Sequence, residues 1–105
     1  MSSKQQRNCV LTVAETRVRE GAFLLDAKVP GWEKKTDIGI LDIDSSACCA
    51  IGQVFEETFE KGCRKLGLSE KPEITTQFGF CVDIFADTDS LNKAWRECIA
   101  ERISK

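Results

Sequence analysis

Apolar residues Val10, Val13, Ala14, Val18, Ala22, Leu25 and Val29 recur at steps of three and four. That spacing predicts a helix over 12–28 with one apolar stripe, leaving Glu15, Arg19, Glu20 and Lys28 to solvent. Pro30-Gly31 ends it, because proline disfavours the helical region for the residue before it. Past Trp32 and the polar run Glu33 to Thr36, the partly alternating isoleucines of 37–43 predict a short strand or an extended pack-down segment. Asp44-Ser45-Ser46 then reads as an N-cap cluster, since short side-chain oxygens accept first-turn N–H groups. Ile51, Val54, Phe55, Phe59, Cys63 and Leu66 keep helical spacing behind it, and Gly67 is a stop. Gly52 and Gly62 each cost such a helix about 1 kcal/mol relative to alanine, which leaves open a break into two near Phe55–Thr58.

Segment 68–77 is a polar connection containing Pro72. Phe78, Phe80, Val82 and Ile84 alternate and predict a strand over 78–85 that could pair with 37–43. Asp87-Thr88-Asp89 caps a last helix whose stripe is Leu91, Ala94, Trp95, Cys98, Ile99 and Ile103. With residues 1–8 as a flexible tail, 9–105 form a single compact domain. The expected fold is mainly α or α+β, with three to four helices around one core and at most a short two-stranded sheet.

Composition narrows the chemistry more than it names it. The chain has 105 residues, 15 Lys+Arg against 17 Asp+Glu, six cysteines and no histidine. Without imidazole there is no Ser-His or Cys-His nucleophile pair and no HExxH zinc site. The interleaved charges supply neither a basic stripe for nucleic-acid phosphates nor a dense acidic field. No apolar run is long enough to span a bilayer, and MSSKQQRN has no signal-like apolar core, so a cytoplasmic protein is expected. In that reducing setting thiols are free or metal-bound rather than bridged.

Two readings of the cysteines stand side by side. In one they are small buried apolar side chains, as free cysteine commonly is. In the other Cys49, Cys63 and Cys81, with Cys48 or Cys9 as a fourth ligand, hold a structural zinc ion. Cys49 and Cys63 are 14 residues apart. On one continuous helix they would sit about 21 Å apart at about 1.5 Å per residue. A shared ion therefore requires the helix to break between them. Cys48 and Cys49, early in a helix, also invite the thought of an activated thiol, but no histidine base is available to either. The aspartates of 42–44 and 83–89 fit helix caps better than a cation loop. Trp32 suits the core or, if exposed, a protein-binding anchor.

The segments LLDAKVPGW (24–32), LDIDSS (41–46), CAIGQVF (49–55), GF (79–80) and LNKAWR (91–96) carry a resemblance. Together they make the chain similar to a family of short, functionally uncharacterised proteins of Gram-positive bacteria and their phages. Family members often carry CxxC ahead of the GQ pair, whereas here Ser46 stands at the first position and Cys49 at the second. The resemblance implies a small non-enzymatic protein, of the kind phages use to inhibit host proteins. Anti-CRISPR inhibitors are one such class, with a Cas nuclease as partner. On that reading an exposed surface including Trp32, Glu56, Glu57 and Glu60 binds the host protein, with no direct nucleic acid or membrane contact. The alternative is a thiol-dependent redox or metal-handling protein.

Overall fold

The computed structural model of the chain describes residues 11–46, 48–56, 58–68 and 72–104. The expected tail at 1–8, Cys9 and Glu57 lie outside them. Five helical segments follow in order: α1 (Val13–Lys28), α2 (Ala50–Phe55), α3 (Phe59–Leu66), α4 (Pro72–Thr75) and α5 (Thr88–Ile103). Short 3-10 turns occupy Trp32–Lys35 and Thr76–Phe78. The fold is mainly α around one core, and no strand forms among the described residues.

Helix α1 starts where Thr12 and Glu15 close a reciprocal capping box. The Glu15 N–H donates to Thr12 Oγ1 at 3.0 Å and the Thr12 N–H to Glu15 Oε1 at 2.8 Å. Two orphan donors are thereby satisfied at once. Its buried face is Ala14, Val18, Gly21, Ala22 and Leu25. Val13, expected on that stripe, faces solvent instead. Ala14, Gly21 and Ala22 keep part of this face low, and so α5 and the 76–80 segment come close to it.

Trp95 of α5 lies against Gly21, and its indole N–H donates to the buried Gly79 carbonyl at 2.7 Å. Phe80 stacks on Trp95 with ring centroids 5.6 Å apart, and Trp32 meets Trp95 edge-on at 5.9 Å. Such pairs add about 0.5–1.5 kcal/mol beyond the area they bury.

A polar clamp closes the far end of this core. Asp26 accepts two hydrogen bonds from Arg102, at 2.6 and 2.9 Å, and one from the Trp32 indole at 2.9 Å. The Arg102 guanidinium also sits 5.4 Å over the Trp32 ring. Three elements are tied by one carboxylate, whose pKa is held below the usual value first by the Arg102 hydrogen bonds.

The central helix breaks where a break was left open. Glu56 takes the left-handed conformation at φ 56°, and Thr58 caps α3 through its hydroxyl. The chain doubles back so that Gly62 rests on Ile51 and Phe55, where a β-carbon would collide with the Ile51 side chain. Gly67, at φ 78°, ends α3, with the Leu68 N–H reaching back to the Cys63 carbonyl. Asp44-Ser45-Ser46 does not cap α2. That cap is Cys49, whose sulfur accepts the Gly52 N–H at 3.3 Å. Ser46 instead accepts the Phe59 N–H at 2.8 Å and so helps start α3 from a distance. Asp87 does cap α5, through the Ser90 N–H at 2.8 Å.

The strand readings of 37–43 and 78–85 are both corrected, and 37–43 packs down through Leu41 and Ile43 without forming one. In 37–43 burial alternates only over the last three residues, with Leu41 and Ile43 inside, whereas 37–40, Ile38 and Ile40 included, are exposed. Its backbone, however, bonds to side chains rather than to a partner strand. The Ile43 N–H goes to Asn92, the Ile38 and Leu41 carbonyls accept from Arg96, and Gln53 bonds Asp37 and Cys48. In 78–85 Phe80 is buried, yet Val82 and Ile84 are exposed, and the chain turns sharply between Asp83 and Ala86. The 68–77 connection holds α4 and a 3-10 turn that ends at Gly79, φ 73°.

Two outcomes follow for stability. Gly21→Ala gains about 1 kcal/mol of helix propensity. Its new methyl would nevertheless overlap the Phe78 carbonyl oxygen and crowd the Trp95 ring, and the backbone atom cannot swing aside. Chemical denaturation should therefore show a net loss of about 1–3 kcal/mol. For Asp26 the folded pKa is depressed, so its contribution is present above the unfolded aspartate value of about 4 and lost as pH falls through the folded one. Melting curves should show the gap between wild type and Asp26→Asn at neutral pH narrowing on acidification below about pH 4.

Candidate functional site

The cysteines are dispersed by the fold more than they are gathered. Cys63 is fully buried on α3, Cys48 is half-buried in the turn before α2, and Cys98 is half-buried near Arg102. Cys49 and Cys81 do come together, lining one cavity of about 410 Å3. Cys81 accepts the Thr75 hydroxyl proton at 3.2 Å, and the Cys49 S–H lies 3.6 Å from the Ser46 carbonyl. The helix break that a shared ion required is present. Even so, among the described residues no three Cys, Asp or Glu side chains converge as a metal-binding group. Of the four expected ligands, Cys48, Cys49, Cys63 and Cys81, only the Cys49–Cys81 pair shares that cavity.

Burial pushes the Cys49 thiol pKa up, against the partial lowering from the Gly52 N–H. The cap position alone would favour the thiolate. Desolvation wins here, so the sulfur serves α2 as a neutral acceptor. Burial raises Cys98 as well, opposed by the hydrogen bond from Arg102.

The expected partner-binding residues fare differently from one another. Trp32 is completely buried, with its indole N–H spent on Asp26, and it offers no surface to a partner. Its anchor role is withdrawn for that reason. Glu56 is exposed and borders a cavity shared with Lys35 and Lys61. Glu60, exposed in the first turn of α3, borders the separate Cys49–Cys81 cavity. The two carboxylates therefore open onto different cavities, and Glu57 lies outside the described residues.

The most exposed large apolar side chains belong to a segment taken for a strand. Ile84 is 91% exposed and Phe85 66%, with Val82 also open to solvent. They stand on a turn built around one oxygen. Asp83 Oδ1 accepts the Phe85 N–H at 2.9 Å, the Ala86 N–H at 3.1 Å and Arg17 Nη1 of α1 at 2.7 Å. The Asp83 N–H closes the turn onto the Ala86 carbonyl at 3.1 Å. An aspartate bonding its own backbone two residues on is a turn-former, and that local signal at 83–85 competes with the alternation of 78–84.

The hydrogen bonds fix the backbone, and the two side chains project from it. At such exposure Ile84 forgoes nearly all of the ~1.5–3 kcal/mol that burying a large apolar side chain yields. Stability of the fold does not account for its presence. Phe85 borders a shallow cleft shared with Val13, Lys93 and Glu97. Apolar exposure thus continues from the tip onto the start of α1.

No family model matches the chain, and no curated protein or solved structure matches it. No helix among the described residues is long and apolar enough to cross a membrane.

The thiols give a direct check on the site. With iodoacetamide at neutral pH, mass spectrometry should find Cys49 labelled more slowly than the less buried Cys81, since burial both shields the Cys49 sulfur and disfavours its thiolate. Fast labelling of Cys49 in the folded protein would contradict the burial described.

Proposed function

We propose that the protein is a non-enzymatic protein-binding module whose anchor is the apolar tip Ile84-Phe85. The observation that carries this is a hydrogen-bonded turn, tied to α1 through Asp83 and Arg17, that displays two large apolar side chains contributing little to the core. Apolar groups held out in this way are characteristic of interaction sites. Burial of both on a partner is worth about 3–6 kcal/mol before ordering costs, at about 1.5–3 each. A pre-formed backbone keeps those costs low.

The family resemblance directs the reading toward a phage-encoded inhibitor acting in the host cytosol. Its partner is then a host defence nuclease of the Cas type. A structural zinc held by the cysteines is a separate proposal, decided by elemental analysis of the purified protein. The thiol-dependent alternative draws its support from the Cys49–Cys81 pairing, and the raised Cys49 pKa weighs against a reactive thiolate.

Plaque assays on bacteria carrying individual Cas nucleases programmed against a phage test the inhibitor reading. Expression of the wild-type protein should restore plaquing against at least one nuclease. The variant Ile84→Ser/Phe85→Ser should lose about tenfold or more of that effect while keeping its melting temperature, because tenfold corresponds to only about 1.4 kcal/mol of binding. Equal potency of the two proteins would remove the tip from the interface.

A further inference from the structure

The cavity lined by Cys49 and Cys81 also takes in the exposed Val82, two residues before the tip. Its lining combines the part-exposed apolar side chains Phe59 and Val82 with Ser45, Ser46, Asp44 and Glu60, while the buried Phe80 and Cys49 present almost no surface to it. Both carboxylates are exposed. Asp44 Oδ2 accepts the Thr88 hydroxyl proton at 2.9 Å, and its other oxygen takes no hydrogen bond among the described residues. Glu60 has no hydrogen bond or ion pair among them, and no lysine or arginine is found among the described residues lining the cavity.

We infer that this cavity receives a long basic side chain, arginine in preference to lysine, from the protein partner. The inference rests on the protein-binding reading and names what the partner must bring beside the tip.

Charge complementarity selects the occupant. A purely apolar side chain would meet Phe59 and Val82, but seating it would strip water from two carboxylates that no lysine or arginine among the described lining residues faces, which is unfavourable. An acidic one would add repulsion. Arginine meets both demands, because its aliphatic stem can lie along Phe59 and Val82 while its head meets Asp44 and Glu60. The planar guanidinium also matches carboxylate geometry and stacks on aromatic faces, which an ammonium does less well. A bare divalent cation is not favoured, since no third ligand converges here among the described residues. The cavity volume of about 410 Å3 is ample for one such side chain.

Titration of the full-length protein with N-acetyl-arginine amide, followed by amide NMR shifts, tests this without the partner. Saturable shifts confined to residues 44–46, 59–60 and 80–82 are expected in the millimolar range. The uncharged N-acetyl-norleucine amide should bind at least tenfold more weakly. Asp44→Asn/Glu60→Gln keeps the acceptor for Thr88 and should weaken arginine binding by tenfold or more at an unchanged melting temperature.

No shifts, equal shifts with the norleucine probe, or an unaffected double variant would each overturn the inference. If the tip variant loses inhibition while the arginine probe fails to bind, the cavity inference falls and the protein-binding reading stands. If the probe binds while tip and wild-type proteins inhibit equally, the tip reading falls and the cavity remains an arginine site.

Discussion

Everything in this fold is arranged around Trp95 resting on a glycine. The Gly21 backbone admits the indole ring, the Gly79 carbonyl takes its N–H, and Trp32 and Phe80 enclose it on two sides. A side chain of that size can be buried in a 105-residue chain only if something opposite it is small. The consequence is that α1, α5 and the 76–80 segment share one seam. Elements with little helix propensity of their own, such as the six-residue α2, take their stability from packing on the body so formed.

The long helices were legible because their periodicity and their caps agree. Thr12 with Glu15 and Asp87 with Ser90 are local signals placed where the apolar stripes begin. The break before Thr58 was foreshadowed by two glycines, one of which proved to be the contact point between α2 and α3. The alternating segments misled for different physical reasons. In 78–85 the Asp83 turn leaves Val82 and Ile84 exposed, and in 37–43 the backbone groups that a partner strand would take are bonded by Asn92, Arg96 and Gln53. Those partners lie 16 to 58 residues away in sequence, beyond the reach of any local pattern.

The candidate site was less legible than the fold. Trp32 drew notice as a large aromatic after a Pro-Gly break, but its ring closes the core. The real outlier, Ile84-Phe85, was hidden inside a plausible strand. Reading Asp83 as a turn-former would have exposed it, because an aspartate that captures the N–H two residues on cannot also remain in an extended ladder. Glu60 was singled out for its charge alone, and its companion Asp44 was read as a helix cap. Only the folded chain puts the two on the border of one cavity.

The Asp83 turn separates two duties that proteins usually mix. Its shape depends on one carboxylate, one arginine and backbone groups, none of them supplied by the side chains at 84 and 85. The side chains at those two positions can therefore change in size and polarity without touching the framework. The contour of that surface and the scaffold beneath it are written in separate residues, so each can vary while the other is kept.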